Sequence, residues 1–193
     1  MSLSRLAAAC TVAALALSQP ARAQEPTLRG PYVGLGLGTA SAAVNCDICS
    51  DDRNGGLSGH LAAGLTFSPT LRAGAELTAW QDNTNNIRQR MVMYGATVYW
   101  TASPAAAWYL KGGLGMLTYN AQDVEDDEDD PLGASTAALQ LGVGYDLRAG
   151  RKLWFSPFAN MVVSTSGNLT SGNSIVTDAS FSLMQIGMGL TWR

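Results

Sequence analysis

Eight stretches of this chain alternate apolar side chains with small or polar ones, from Pro31–Thr39, the shortest, to Asp178–Arg193, the longest. A period of two is that of a β-strand, whose side chains point to opposite faces in turn. In the first stretch Val33, Leu35 and Leu37 share one face and Gly34, Gly36 and Gly38 the other. In the third, Leu71–Gln81, Leu71, Ala73, Ala75, Leu77 and Ala79 oppose Arg72, Gly74, Glu76 and Thr78. The remaining strands are expected near Gly56–Phe67, Arg88–Ala102, Ala106–Asn120, Ser135–Arg148 and Leu153–Thr165. The last of these alternates poorly around Ser156-Pro157-Phe158, which leaves its facing open.

The connections alternate as well. Ser68-Pro69-Thr70, Ser103-Pro104-Ala105 and Ala149-Gly150-Arg151-Lys152 are short turns. Four others read as longer loops: the segment after Thr39, Asp82–Ile87, an acidic stretch after Asn120 and a Ser/Asn/Gly stretch over Ser166–Thr177.

A leader precedes the strands. Arg5 supplies a positive start, Leu6–Leu17 an apolar run and Ala21-Arg22-Ala23 a small-residue cleavage pattern, so residues 1–23 read as a secretion signal and 24–193 as one domain. About 20 apolar residues are needed for a membrane-spanning helix, and the leader's run is shorter. A spanning chain without such helices closes its backbone hydrogen bonds between strands. The expected fold is therefore all-β: an eight-stranded antiparallel up-and-down transmembrane β-barrel of an outer membrane. Short turns and both termini would face the periplasm, with the long loops outside. Phe67, Trp100, Trp108, Phe155 and Trp192 fall near the turn ends, where an interfacial aromatic girdle belongs.

Composition narrows the function. The chain has 12 basic and 15 acidic residues. Arg5 and Arg22 lie in the leader, so the remainder, 10 against 15, carries a net charge of −5. With no basic patch, nucleic acid is not an expected partner. The 21 glycines are dispersed through the strands, as a narrow lumen requires.

These sorted strands, the glycine-studded inner face and the closing run Met184-Gln185-Ile186-Gly187-Met188-Gly189-Leu190-Thr191-Trp192-Arg193 resemble the small eight-stranded outer-membrane barrels of the OmpX, OmpW and OmpA-transmembrane kind. The resemblance covers the whole expected mature chain. It implies a monomer set in outer-membrane lipid and lipopolysaccharide, assembled by the barrel assembly machinery. Members usually end on an aromatic residue, whereas here Trp192 is penultimate and Arg193 last.

Candidate sites are few. Arg72, Glu76, Lys111, Asp146, His60 and Gln140 project to the expected lumen, where charges of both signs can pair. Eight strands leave room for little beyond side chains, so a plugged polar interior is expected, with a narrow channel or carrier for ions or small hydrophobic molecules as the alternative. Cys46 and Cys49 in the first loop fit a small disulfide better than a zinc site. The run Asp123, Glu125, Asp126, Asp127, Glu128, Asp129, Asp130 reads as a solvated loop. Its alternative is a Ca²⁺ or Mg²⁺ site on Asp126, Asp127, Glu128, Asp129 and Asp130. Ser58 shares a face with the one histidine, His60, but matches no catalytic motif, so no catalytic residue and no cofactor are assigned. The expected role is non-enzymatic, in envelope integrity or surface contact through the outer loops. A soluble lipocalin-like periplasmic binder is the further alternative.

Overall fold

The computed structural model describes residues 29–46, 53–84, 86–123, 132–171 and 174–193. Ten strands follow one another in the chain: β1 (Gly30–Asn45), β2 (Asn54–Ser68), β3 (Leu71–Thr84), β4 (Ile87–Trp100), β5 (Trp108–Asp123), β6 (Leu132–Tyr145), β7 (Leu147–Arg148), β8 (Leu153–Ser164), β9 (Gly167–Ser171) and β10 (Ser174–Trp192). Eight of them form an antiparallel ring in the order β1-β2-β3-β4-β5-β6-β8-β10. It closes where β10 pairs with β1, from Val33 opposite Trp192 to Asn45 opposite Ser180. The short β7 and β9 are continuations: β7 pairs with β8, and β9 with β10 and β6.

Alternation along each strand builds the wall. Ile186, Leu61 and Leu114 are 65%, 58% and 68% exposed, whereas Glu76, Thr78 and Gln140 on the opposite faces are at most 4% exposed. An outer surface of bare aliphatic side chains around an interior that buries charged and polar groups inverts a soluble domain and suits a lipid surround. Phe67, Trp100, Trp108 and Trp192 are exposed at the turn end, and Trp100 stacks edge-on against Trp108 at 6.1 Å.

The strands run further than their alternation indicates, because small and polar residues near the loops continue the ladder. β1 extends past Thr39 to Asn45. Two expected long loops prove otherwise. Asp82–Ile87 is mostly strand: β3 and β4 stay paired up to Thr84 opposite Ile87, and Asn86 takes a φ of 65° at the tip. Asparagine tolerates that left-handed conformation, so a tight hairpin forms there. Ser166–Thr177 carries β9 and the start of β10, paired as a hairpin with an irregularity between Val176 and Ala179, where Asp178 takes a φ of 60°.

The strand of uncertain facing is regular. Trp154, Ser156, Phe158, Asn160 and Val162 of β8 point inward and are buried. Its alternation is blurred because large apolar groups occupy both faces. Pro157 has no N–H for the ladder. Pairing of β8 with β6 accordingly stops at Phe158 opposite Gly144 and resumes with β7 at Phe155 opposite Leu147. In that gap the backbone N–H of Asp146 donates to Ala107 O at 2.6 Å.

Glycine pairs face each other across neighbouring strands inside the barrel, Gly64 with Gly74 and Gly95 with Gly115. A Cβ on any of the four would run into the partner strand's backbone.

Candidate functional site: the ion-paired lumen

Two carboxylates organise the turn-side half of the interior. Asp146, placed beside the Pro157 gap, accepts from Arg72 Nη2 at 3.1 Å, Arg193 Nη2 at 2.9 Å and Ser156 Oγ at 2.6 Å. Glu76, on the inward face of β3, accepts from Lys111 Nζ at 2.6 Å, Gln140 Nε2 at 2.9 Å, Thr78 Oγ1 at 3.3 Å and the Tyr99 hydroxyl. All these side chains are secluded from solvent, so the attraction acts in a medium that screens it little.

Aromatic rings line the space between the two centres. The Arg72 guanidinium lies 4.9 Å from the Tyr99 ring centre and 5.4 Å from that of Tyr109, and Arg193 caps Trp154 at 4.2 Å. Such stacking on ring faces adds to the ion pairs. Gly144 makes room for Tyr109, whose ring would collide with a Cβ there.

The structure thus brings Arg72 to Asp146, and Glu76 to Lys111 and Gln140. His60 also points inward but stands edge-on to Phe158, with ring centres 4.5 Å apart, over the space left by Gly36. Its Nδ1 and the Ser58 hydroxyl have no hydrogen-bond partner, so the two are not bonded to each other. Arg193, Tyr99 and Ser156 complete the network without having been singled out in the sequence. Inward parity was the available signal for Tyr99 and Arg193, whereas Ser156 lies on the strand whose facing the sequence leaves open.

Beyond this half the lumen becomes apolar. Trp80, Met91, Met93, Leu117, Tyr119, Val162, Phe181 and Leu183 pack as one buried cluster towards the loops, where the sequence reading expects polar contents. The alternation made those faces look polar because it was read mainly from their glycine, serine and charged members. One cavity of about 20 Å³ lies among Tyr32, His60, Arg72, Tyr99, Asp146 and Phe158, and one of about 10 Å³ lies at the turn end beside Thr66, Thr101 and Arg193. Each has room for a water or two.

Cys46 is disulfide-bonded. Cys49 and the acidic residues Asp126, Asp127, Glu128, Asp129 and Asp130 lie outside the described residues, as does the leader 1–23. Among the described residues no three His, Cys, Asp or Glu side chains form a metal-binding group.

A closed ring of strands with an aliphatic outer face and buried ion pairs inside defines the class, a membrane-embedded β-barrel. The chain belongs to the outer membrane protein beta-barrel domain family, which it matches over residues 7–193. It is accordingly an envelope protein of the Gram-negative outer membrane, in contact with that membrane's lipid. Among solved structures it is similar to Neisserial surface protein A (12% identity, 88% of this chain and 99% of that one, TM-score 0.60). It is also similar to Ail, the attachment invasion locus protein of Yersinia pestis (13% identity, 83% and 98%, TM-score 0.54). These likenesses show the fold. No curated protein matches the chain in sequence.

Proposed function

We propose that this protein is a closed, non-conducting and non-enzymatic barrel that acts through its outer surface and loops, in envelope integrity or surface contact. The observation that carries the reading is the filled lumen. Two buried ion-pair centres occupy one half and a packed apolar cluster the other, with cavities of about 10 and 20 Å³ between side chains. A solute path would require several of these pairs and the apolar cluster to part together. The loops would face outward and both termini the periplasm, the arrangement usual for an even-stranded outer-membrane barrel. Residues 1–23 would serve as the secretion signal, and the mature barrel would be a monomer delivered by the barrel assembly machinery. Attachment, which the name of Ail states for that protein, is one form that loop-mediated contact takes.

Planar-bilayer recording of the refolded protein tests the reading. Silence is expected, and a steady conductance would overturn it in favour of a narrow channel. Orientation is read separately, with a thiol label applied to intact cells carrying either Asp127→Cys in the acidic loop or Ala105→Cys in a short turn. The loop cysteine is expected to react and the turn cysteine to stay unlabelled.

A further inference from the structure

Near the loop end of the outer wall, the lipid-facing surface of β10, β1 and β2 is indented. An open groove of about 620 Å³ is lined by Thr39, Ser41, Gly55, Met184 and Ile186, among others. Its origin is local. Ile186 sits opposite Thr39, which sits opposite Leu57; Met184 sits opposite Ser41, which sits opposite Gly55. Long apolar side chains on β10 therefore stand beside small ones on β1 and none on Gly55, leaving a trough as wide as two strands.

Arg53 marks one end of this trough. Its Nε donates to Ser41 Oγ at 3.0 Å, its Nη2 to Ser41 O at 2.7 Å and its Nη1 to Ser182 Oγ at 3.1 Å. Ser41 is itself a groove residue, so these bonds fasten an exposed guanidinium to the groove's rim. Three of its five N–H groups are engaged, which leaves two for an anion. Arg88 and Arg90 are exposed on the same outward face of β4, three strands from Ser41 on β1, to which the Arg53 guanidinium is fastened, and so roughly 15 Å from it. Neutral side chains, Gln81 and Asn83, are their partners on β3.

The geometry points to a binding site for one class of molecule, a phosphorylated and multiply acylated glycolipid of the lipid A type. An acyl chain lies in the trough, one phosphate meets Arg53, and a second falls within reach of Arg88 and Arg90. A fixed cation at the mouth of an apolar groove is complementary to that amphiphile's charged head and tail. The assignment rests on the loop-outward orientation proposed above, because such glycolipid occupies the outer leaflet.

The test is a titration of the refolded barrel in detergent with diphosphoryl lipid A, read by native mass spectrometry. It is repeated with dephosphorylated lipid A, phosphatidylglycerol and inorganic phosphate. Arg53→Gln removes the cation, and Gly55→Leu fills the trough at a position where a Cβ meets no neighbouring atom. Arg53→Gln is expected to weaken lipid A binding about tenfold, the size of a lost charge-assisted contact; Gly55→Leu should weaken it about tenfold by occupying the space of the acyl chain, and removing the phosphates should weaken wild type as Arg53→Gln does. Both variants should keep the unboiled gel shift of a closed barrel. Equal lipid A binding by wild type and both variants would overturn the site. Equal affinity for phosphatidylglycerol, or Arg53-dependent capture of inorganic phosphate alone, would overturn the glycolipid assignment. Failure of the orientation shows independently, in the thiol-labelling pattern on cells.

Discussion

At the turn end, the inward positions of β3, β5 and β6 carry Arg72, Glu76, Lys111 and Gln140, and space is filled by groups that each need a partner. At the loop end, inward positions of β3, β4, β5 and β10 carry Trp80, Met91, Leu117, Phe181 and Leu183, which need only contact. Both halves close an eight-stranded tube, yet they differ in how they fail. An apolar filling loses stability in proportion to the atoms removed. A buried ionic filling is weakly stabilising as a whole, but losing one member strands a charge away from water. The apolar half also shields the ion pairs from the loop side, so the two fillings are not independent.

The largest expected effect follows from that asymmetry. Glu76→Ala leaves Lys111 with no counter-ion and deprives Gln140, Thr78 and Tyr99 of an acceptor. It should cost about 3–5 kcal/mol, measured by urea unfolding in lipid vesicles. A cost under about 1 kcal/mol would mean that water reaches the centre and that the contrast between halves is false. Leu117→Ala, in the apolar cluster, should cost about 3 kcal/mol, the usual range for a buried leucine. The double variant Glu76→Met with Lys111→Met sharpens the point, because it turns part of one filling into the other. It should recover about 2 kcal/mol relative to Glu76→Ala, whereas strict additivity would show that the pair is not coupled.

How much of this was legible in the sequence depended on contrast between faces. Strand three could be read residue by residue, because Arg72, Glu76 and Thr78 oppose leucines and alanines; so could the inward placement of Lys111, Gln140 and Asp146. Strand β8 could not, since Trp154 and Phe158 inside match Phe155 and Met161 outside in hydrophobicity. The apolar half of the lumen was missed for the same reason: inward Met91 and Met93 flank outward Val92, and only parity separates them. Asp82–Ile87 read as a long loop because its residues are polar, but polar residues extend a hairpin readily once it leaves the lipid. The pairing of Asp146 with Arg193 depends on β6 breaking opposite Pro157 and on the register of the closing strand. Neither is encoded in local alternation.

The smallest effects lie at the seam between the two fillings. Gly95 sits on β4 between inward Met93 and inward Tyr99, opposite Gly115 on β5. A Cβ on Gly95 would strike the Leu114 carbonyl and the Gly115 Cα, both backbone, so neither a rotamer change nor a side-chain shift relieves it. Gly95→Ala should therefore cost about 1–3 kcal/mol, the range for overpacking. Gly112, on the outward face of β5, has no atom within 4 Å of where its Cβ would be. Gly112→Ala should change stability by less than about 0.5 kcal/mol, as at an unconstrained surface position. The same one-carbon change on neighbouring strands separates two explanations for the glycines. If both variants lose stability alike, backbone flexibility matters and the seam is nothing special. If only Gly95→Ala does, the inward glycines hold the strands close enough for the ionic and apolar halves to meet without a gap.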